Sequence, residues 1–444
     1  MVLTISFIIP FMFLYYYLNK HASREYFHFP QRRLTIFLPE FDFSPYHLIL
    51  IAMRICFLTL GCKQNQYETE LVREYFLKNG AEEVSLDENP DVVFINTCSV
   101  TSLAGQQSRN LVRRALRRGA RVIVSGCHAI LFPDEFSGEN IEILEDPWNL
   151  NSILEKFSTR RRGYVLIERG CNNFCSYCIV PYARGRVRSR PKEDIIKEVK
   201  NLIKNGHKEI VLTGTHMGQY GKDTGEKLSS LLLTLAELGA RIRLTSINPD
   251  EADEVLKAFH HPMIAPHLHL ALQSGSDKVL KLMRRNYTRE DIKKLVYRIK
   301  EIREDAGIGA DFIVGFPGEG EREFEETYRL VEELPFSYLH VFRYSERPMT
   351  LALLYPERVP ERIRKKRSKT LRELAKKKFY DFRKELIGKT YTVLVEKKKD
   401  SVTGLSYGFT PNYVRVQFEG NGRDEVVVRI ERIDDEFTYG KVLH

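Results

Sequence analysis

Three cysteines in the segment RGCNNFCSYCIVPYARGRVRSRP, Cys171, Cys175 and Cys178, stand as C-x3-C-x2-C directly after a strand-like run. Thiolates spaced this way on one loop can share an iron–sulfur cluster. Four would cap every iron of a cubane, so three leave one iron open to a further ligand. Structural zinc is the competing chemistry, but it takes four closed ligands and usually pairs two C-x2-C units. The chain has no second pair. Three more cysteines, Cys62, Cys98 and Cys127, are far apart in the sequence, yet each closes an apolar run: FLTLG, VFINT and VIVSG. The pattern alone leaves two readings open for them, a second open-sited cluster or isolated cysteines buried in a sheet. Cys56 lies mid-strand and is assigned to the core. Seven cysteines in so long a chain favour metal ligation in a reducing compartment over disulfide staples.

The elements that must position these thiols follow two rhythms. From Met53 to about Asp146, RICFLTL, DVVFINT and RVIVSG alternate with helical segments, a βαβαβ order that implies a parallel sheet with covering helices. Ligands in such sheets gather at the carboxyl ends of the strands, where Cys62, Cys98 and Cys127 can converge. A second series holds six strand runs, YVLIERG, EIVLTGT, RIRLTSI, HLHLALQ, ADFIVGF and SYLHVFR, with amphipathic helices between them. That rhythm predicts a partial TIM-like (β/α)6 barrel with chemistry at the strand carboxyl ends. A charged helix from about Pro360 to Ile387 then leads to KTYTVLVE, YVRVQF and EVVVRI, read as a small closed β-barrel. The expected boundaries are 53–150, 160–386 and 387–444.

With 444 residues, 43% hydrophobic and 29% charged, the chain reads as an α/β enzyme of more than one domain. A net charge of +10 points to a polyanionic partner, nucleic acid or an acidic membrane surface. Residues 1–52 differ in character from the rest of the chain. Ile5 to Leu18 is apolar but has only 14 residues and contains Pro10, whereas a bilayer span takes roughly 20. Lys20 and Arg24 come after the apolar run instead of preceding it, opposite to a signal peptide. We expect this leader to lie outside the functional fold, with translation starting at Met53. A membrane anchor is the alternative.

Taken together, TLGCKQNQYETE, NTCSVT, SGCHA and the central cysteine motif resemble the radical S-adenosylmethionine (SAM) methylthiotransferase family over Met53 to His444. The resemblance implies an N-terminal methylthiotransferase domain, a radical SAM barrel and a C-terminal TRAM β-barrel. It also implies two 4Fe–4S clusters, one on Cys171, Cys175 and Cys178 and an auxiliary one on Cys62, Cys98 and Cys127. SAM is expected on the first, with Tyr177, Gly214, Thr215, Gln273, Ser274, Ile313 and Gly315 at the positions that cradle it. Family chemistry replaces an inert aromatic C–H that no base can deprotonate: one SAM methylates a sulfur and a second supplies a radical. TLGCKxNQ resembles the branch that modifies C2 of N6-threonylcarbamoyladenosine at position 37 of tRNA. The isopentenyladenosine and ribosomal protein S12 branches are the enzymatic alternatives. Ala271 departs from the family, where proline is typical.

Arginines and lysines supply the expected contacts to a tRNA anticodon loop: Arg109, Arg113 and Arg117 on one helix, Arg186 and Arg188 after the central loop, Lys365 and Arg367 on the charged helix. Solvated helix faces are the plainer explanation of such runs. The family also implies an electron donor of flavodoxin or ferredoxin type, an unnamed sulfur donor, a cytoplasmic location and no stable membrane association. A non-enzymatic RNA-binding protein with structural metal would instead hold zinc, or about four irons or fewer.

Overall fold

The computed structural model describes residues 53–150, 153–157, 161–420 and 423–443. The leader reading for residues 1–52 lies outside the described residues.

The first segment runs β1 (Arg54–Thr59), α1 (Lys63–Lys78), β2 (Glu82–Glu83), β3 (Val92–Thr97), α2 (Ser102–Leu116), β4 (Arg121–Gly126), α3 (Cys127–Leu131) and β5 (Ile141–Ile143). Its five parallel strands take the order β2-β1-β3-β4-β5. The two edge strands are too short to be legible in the sequence. Every residue of β3 is buried, as a central strand covered on both faces requires. Val93 and Ile95 pack with Val112, Val122 and Val124, while Val92 and Phe94 pack with Ile55, Val72 and Phe76. Cys56 lies in the first of these clusters, 4% exposed.

The second segment comprises β6 (Arg162–Arg169), α4 (Val180–Arg184), β7 (Arg188–Ser189), α5 (Lys192–Lys204), β8 (Glu209–Gly214), α6 (Leu228–Ala236), β9 (Arg241–Leu244), β10 (Ser246–Ile247), α7 (Ala252–Ala258), β11 (His267–Gln273), α8 (Asp277–Leu282), α9 (Arg289–Ile302), β12 (Gly307–Val314), α10 (Glu321–Glu333), β13 (Tyr338–Arg343) and α11 (Glu361–Lys384). All six expected strands form. RIRLTSI breaks at Thr245, so its halves serve two four-stranded sheets, β7-β6-β8-β9 and β10-β11-β12-β13. Helix α1 belongs to this core as much as to its own sheet: Tyr67 and Leu71 join the barrel's apolar cluster. Glu198 accepts from the Tyr67 hydroxyl at 3.1 Å and from Arg190 at 2.6 Å.

The chain ends in a closed barrel of β14 (Thr390–Val395), β15 (Ser406–Phe409), β16 (Arg415–Phe418), β17 (Glu425–Ile433) and β18 (Thr438–Leu443), ordered β14-β15-β16-β18-β17. SYGF and TYGKVL, which form β15 and β18, are too short and polar to show as strands in the sequence. The loop between β15 and β16 seats against the amino ends of the barrel strands. Asn412 donates to the Asp305 carbonyl at 3.3 Å, and Arg243 lies over the Tyr413 ring at 4.9 Å. Tyr413 holds φ at +72°, a left-handed conformation that an aromatic residue adopts at a cost.

His207 ties the segment entering the barrel to α5 and β8. Its Nε2 accepts from the Phe157 amide at 3.1 Å, so Nδ1 carries the proton and donates to the Arg161 carbonyl at 3.0 Å. Burial lowers its pKa below the ordinary histidine value. A depressed histidine contributes stability that is complete above the unfolded-state pKa of about 6.5 and is lost as pH falls below it. Equilibrium denaturation should therefore show stability declining between about pH 7 and pH 5. His207→Ala should cost about 1–3 kcal/mol at pH 7.5 and flatten that slope.

Candidate active site

Cys62, Cys98 and Cys127 all stand at the carboxyl end of the first sheet. Cys98 directly follows β3, Cys127 directly follows β4, and Cys62 caps α1 just past β1. Glycine makes this crowding possible. A Cβ on Gly61 would lie 3.0 Å from the Cys98 Sγ, and one on Gly126 would lie 2.4 Å from the Thr97 carbonyl oxygen. Both have φ near +90°, where glycine is favoured. Asn65 joins two of the strand ends by donating to the Leu60 and Thr97 carbonyls at 2.7 and 3.0 Å. Ser108 accepts from the Cys98 amide at 3.1 Å. Burial pushes the Cys98 thiol up to about 11.

The central loop is held as firmly. The Cys171 amide donates to Gly185, the Ser176 amide to Met283 and the Ser176 hydroxyl to Leu282. Asn172 and Asn173 both bond the Gln219 side chain at 2.9 Å. His216 lies 3.1 Å from the Cys171 sulfur, and Arg285 donates to the Cys175 sulfur at 3.3 Å and to Asn248 at 2.6 Å. Burial first, then the Cys175 thiol, raises Cys178 to about 12. Burial also raises the Glu168 carboxyl to about 8, so it is largely protonated near neutrality beside the His216 amide that it accepts from.

Arg184 connects the two triads. It donates from Nε to the Cys127 sulfur at 3.2 Å and from its terminal nitrogens to Asn65 at 2.7 Å and to Glu68, which is fully buried. The first triad lines a cavity of about 740 Å³ together with residues of the barrel strands. Its wall takes alternate residues of the strands, among them His267, His269, Tyr338 and His340, and its far end is closed by Tyr413. Cys171, Cys175 and Cys178 do not line this cavity; they sit in the adjoining loop between β6 and α4.

Of the expected SAM-cradling residues, Gly214 and Thr215 line the cavity, and the Thr215 hydroxyl joins the Gly170 amide to Gln64. Gln273 ends β11 with φ at +69°. Tyr177 and Ile313 pack with Phe316, Val279 and Met283, and the Gly315 amide donates to Glu319. Ser274 departs from its expectation. It is 1% exposed, its hydroxyl meets Thr327 and accepts from the Ser276 amide, and so it builds the turn.

The expected RNA contacts divide similarly. Arg113, Arg117, Arg186, Arg188 and Lys365 are exposed. Arg109 is half-buried and paired with Glu135. Arg367 is corrected outright: it is 5% exposed and ion-paired with Glu319 and Glu321, which leaves no face for a phosphate. The arginine series after the central loop does not alternate as an extended strand would, because α4 and a bend turn Arg186 and Arg188 outward and Arg184 and Arg190 inward. Sequence reasoning missed the polar cavity wall, although HLHL and YLHVF carry its signal as a period-2 alternation.

A family model described as Radical SAM superfamily matches residues 165–331, and one described as Uncharacterized protein family UPF0004 matches residues 54–144. A protein of Aquifex aeolicus (strain VF5) named threonylcarbamoyladenosine tRNA methylthiotransferase MtaB is 38% identical over 85% of this chain and 100% of its own length. The chain belongs to the radical SAM methylthiotransferase family. A protein of the same name from Thermotoga maritima is 37% identical to this family member over 85% of the chain and 94% of its own length. Among solved structures, the radical S-adenosylmethionine methyltransferase TsrM of Kitasatospora setae, with cobalamin and a 4Fe–4S cluster bound, aligns with a TM-score of 0.50 at 13% identity. That alignment covers 68% of this methylthiotransferase and 77% of TsrM, and it speaks to the fold.

Replacing Arg184 by Met should strand the buried Glu68 carboxylate and destabilise the protein by about 3–5 kcal/mol. Denaturant unfolding at pH 7.5 checks this, and Arg184→Lys should recover only part of the loss because a point charge cannot serve the same fork of acceptors.

Proposed function

We propose that this chain adds a methylthio group to C2 of N6-threonylcarbamoyladenosine at position 37 of tRNA. It would use SAM and two 4Fe–4S clusters, held by Cys62, Cys98 and Cys127 and by Cys171, Cys175 and Cys178. The observation that carries the reading is the convergence of the first three thiols on the cavity of the barrel. All six cysteines are free thiols. Two ligands of one zinc at about 2.3 Å can be no more than about 4.6 Å apart. Among the described residues, the only donor set closing within 4.8 Å is His269, Asp311 and His340, so neither cysteine triad is drawn tight enough for a lone zinc. Three thiols in each triad would leave one corner of a cubane uncapped.

When bound, the clusters and SAM supply the electron, methyl group and sulfur that substitution at an inert aromatic carbon requires. The chain's own residues do the rest. Arg184 and Arg285 donate to the sulfurs of Cys127 and Cys175 and so hold one cysteine of each triad in place. Tyr177, Gly214, Thr215, Gln273, Ile313 and Gly315 are proposed to cradle SAM. The cavity between the barrel strands and the N-terminal sheet receives the reacting base, which must leave its stack to enter.

The tRNA is proposed to lie across the exposed Arg113, Arg117, Arg186 and Arg188 and along α11, where Lys365, Lys369, Arg372 and Lys376 line one shallow groove with Arg343. A flavodoxin- or ferredoxin-type donor and a cytoplasmic location are proposed with it. Among the described residues no helix is long and apolar enough to cross a membrane.

Anaerobically reconstituted protein should hold about eight irons, and about four after either triad is changed to alanine. Cys171→Ala should abolish 5′-deoxyadenosine formation, whereas Cys62→Ala should retain it and yield no methylthio nucleoside by mass analysis of the tRNA. Deoxyadenosine surviving the first change would overturn the roles assigned. Changing Lys365, Lys369 and Lys376 to Gln should reduce the slope of log affinity against log salt by about two to three, read by anisotropy with an anticodon stem-loop.

A further inference from the structure

Five charged side chains line the barrel cavity: Lys63, Arg162, Arg184, Arg243 and Asp311. Four of them are already answered from within the protein. Arg162 pairs with Glu396 at 2.6 Å and Arg243 with Glu209 at 2.8 Å. Burial would raise the Glu209 carboxyl, yet Arg243, Arg241 and Arg162 bring it down to about 2, so it stays ionised opposite them. Arg184 is held by Glu68, and Asp311 lies 3.1 Å from His340 and 3.4 Å from His269.

Lys63 has no ion-pair or hydrogen-bond partner among the described residues. It opens α1, immediately after Cys62, and is half-buried. Its charge is felt on the opposite wall and on the floor of the cavity. His267 and His269 are lowered by burial and, among smaller causes, by Lys63. Burial would raise the Tyr413 phenol, but Lys63 leads the cations that bring it below its ordinary value. Lys63 lines the cavity together with the auxiliary thiols and with Tyr413 of the C-terminal barrel. His267 and His269 are neutral near pH 7, His269 titrating at about 4, and offer hydrogen bonds without competing charge.

A half-buried lysine with no ion-pair partner among the described residues, on the wall of a cavity of about 740 Å³, is suited to receive an anionic group of a ligand. Resting on the functional reading above, we propose that Lys63 binds the carboxylate of the threonyl group of the substrate adenine and so selects for that base over one carrying a neutral, apolar N6 substituent. Asp311, which the His340 ring meets at 3.1 Å, lines the same cavity. The selectivity is positive, through a charge-assisted contact, and negative, because an apolar substituent leaves the ammonium buried without a partner.

The test uses reconstituted holoenzyme, its iron content verified for each variant because Lys63 adjoins Cys62. Three anticodon stem-loops are compared, carrying the threonylcarbamoyl group, its carboxamide analogue, or a dimethylallyl group. Wild-type enzyme should bind and turn over the acid at least about tenfold better than the amide. Lys63→Met should lose about tenfold or more in binding and KM for the acid with little change for the amide, and Lys63→Arg should restore the preference. Equal discrimination between acid and amide by wild type and Lys63→Met, with iron retained, would overturn the assignment of Lys63 while leaving the functional reading in place. Wild-type enzyme that modifies only the dimethylallyl stem-loop would instead overturn the functional reading.

Discussion

The Arg184 guanidinium lies shortly after the last cysteine of the central loop, but its acceptors belong to the other half of the site: Asn65 and Glu68 on α1 and the sulfur of Cys127. Glu68 is fully buried, so removing the guanidinium while the N-terminal sheet and the barrel stay together would leave a carboxylate short of its counter-charge, at a cost of several kcal/mol. Tyr67, one residue earlier on the same helix, is pinned by Glu198 and Arg190. Together these contacts make α1 a shared wall. The thiols at the carboxyl end of one sheet are thereby fixed relative to those in the loop of another, which a reaction drawing on two centres requires.

A parallel barrel usually fills its interior with branched apolar side chains. Here the inward set on β11 and β13 is His267, His269, Tyr338 and His340, while Leu268 and Leu270 face outward into the helical layer. Stability comes from that outer layer, where apolar residues of the strands meet α5, α6 and α9. The inner face is released for recognition: Arg243 bonds Glu209 and His267 bonds Tyr338, while His267 Nδ1 and His269 Nε2 are buried with no hydrogen-bond partner among the described residues.

Much of this architecture was legible because hydrophobic period and cysteine placement agree. VFINT and VIVSG are strands ending at thiols whether read from sequence or structure. What escaped reading was set by tertiary context. Arg367 stands in an unbroken basic run, and only the packing of α11 against Glu319 turns it inward. Ser274 sits in a glycine-bearing turn typical of ligand loops, yet Thr327 on α10 takes its hydroxyl. β15 and β18 have too few apolar residues to stand out and exist because a closed barrel offers their backbones partners.

Tyr413 belongs to the C-terminal barrel but closes the deep end of the catalytic cavity, its ring 4.7 Å from that of His267. The C-terminal barrel thus also fixes how far a base substituent can reach before it meets an aromatic floor. Substrate length becomes a property inherited from the far end of the chain, and a swap of this domain between relatives would carry the ruler with it.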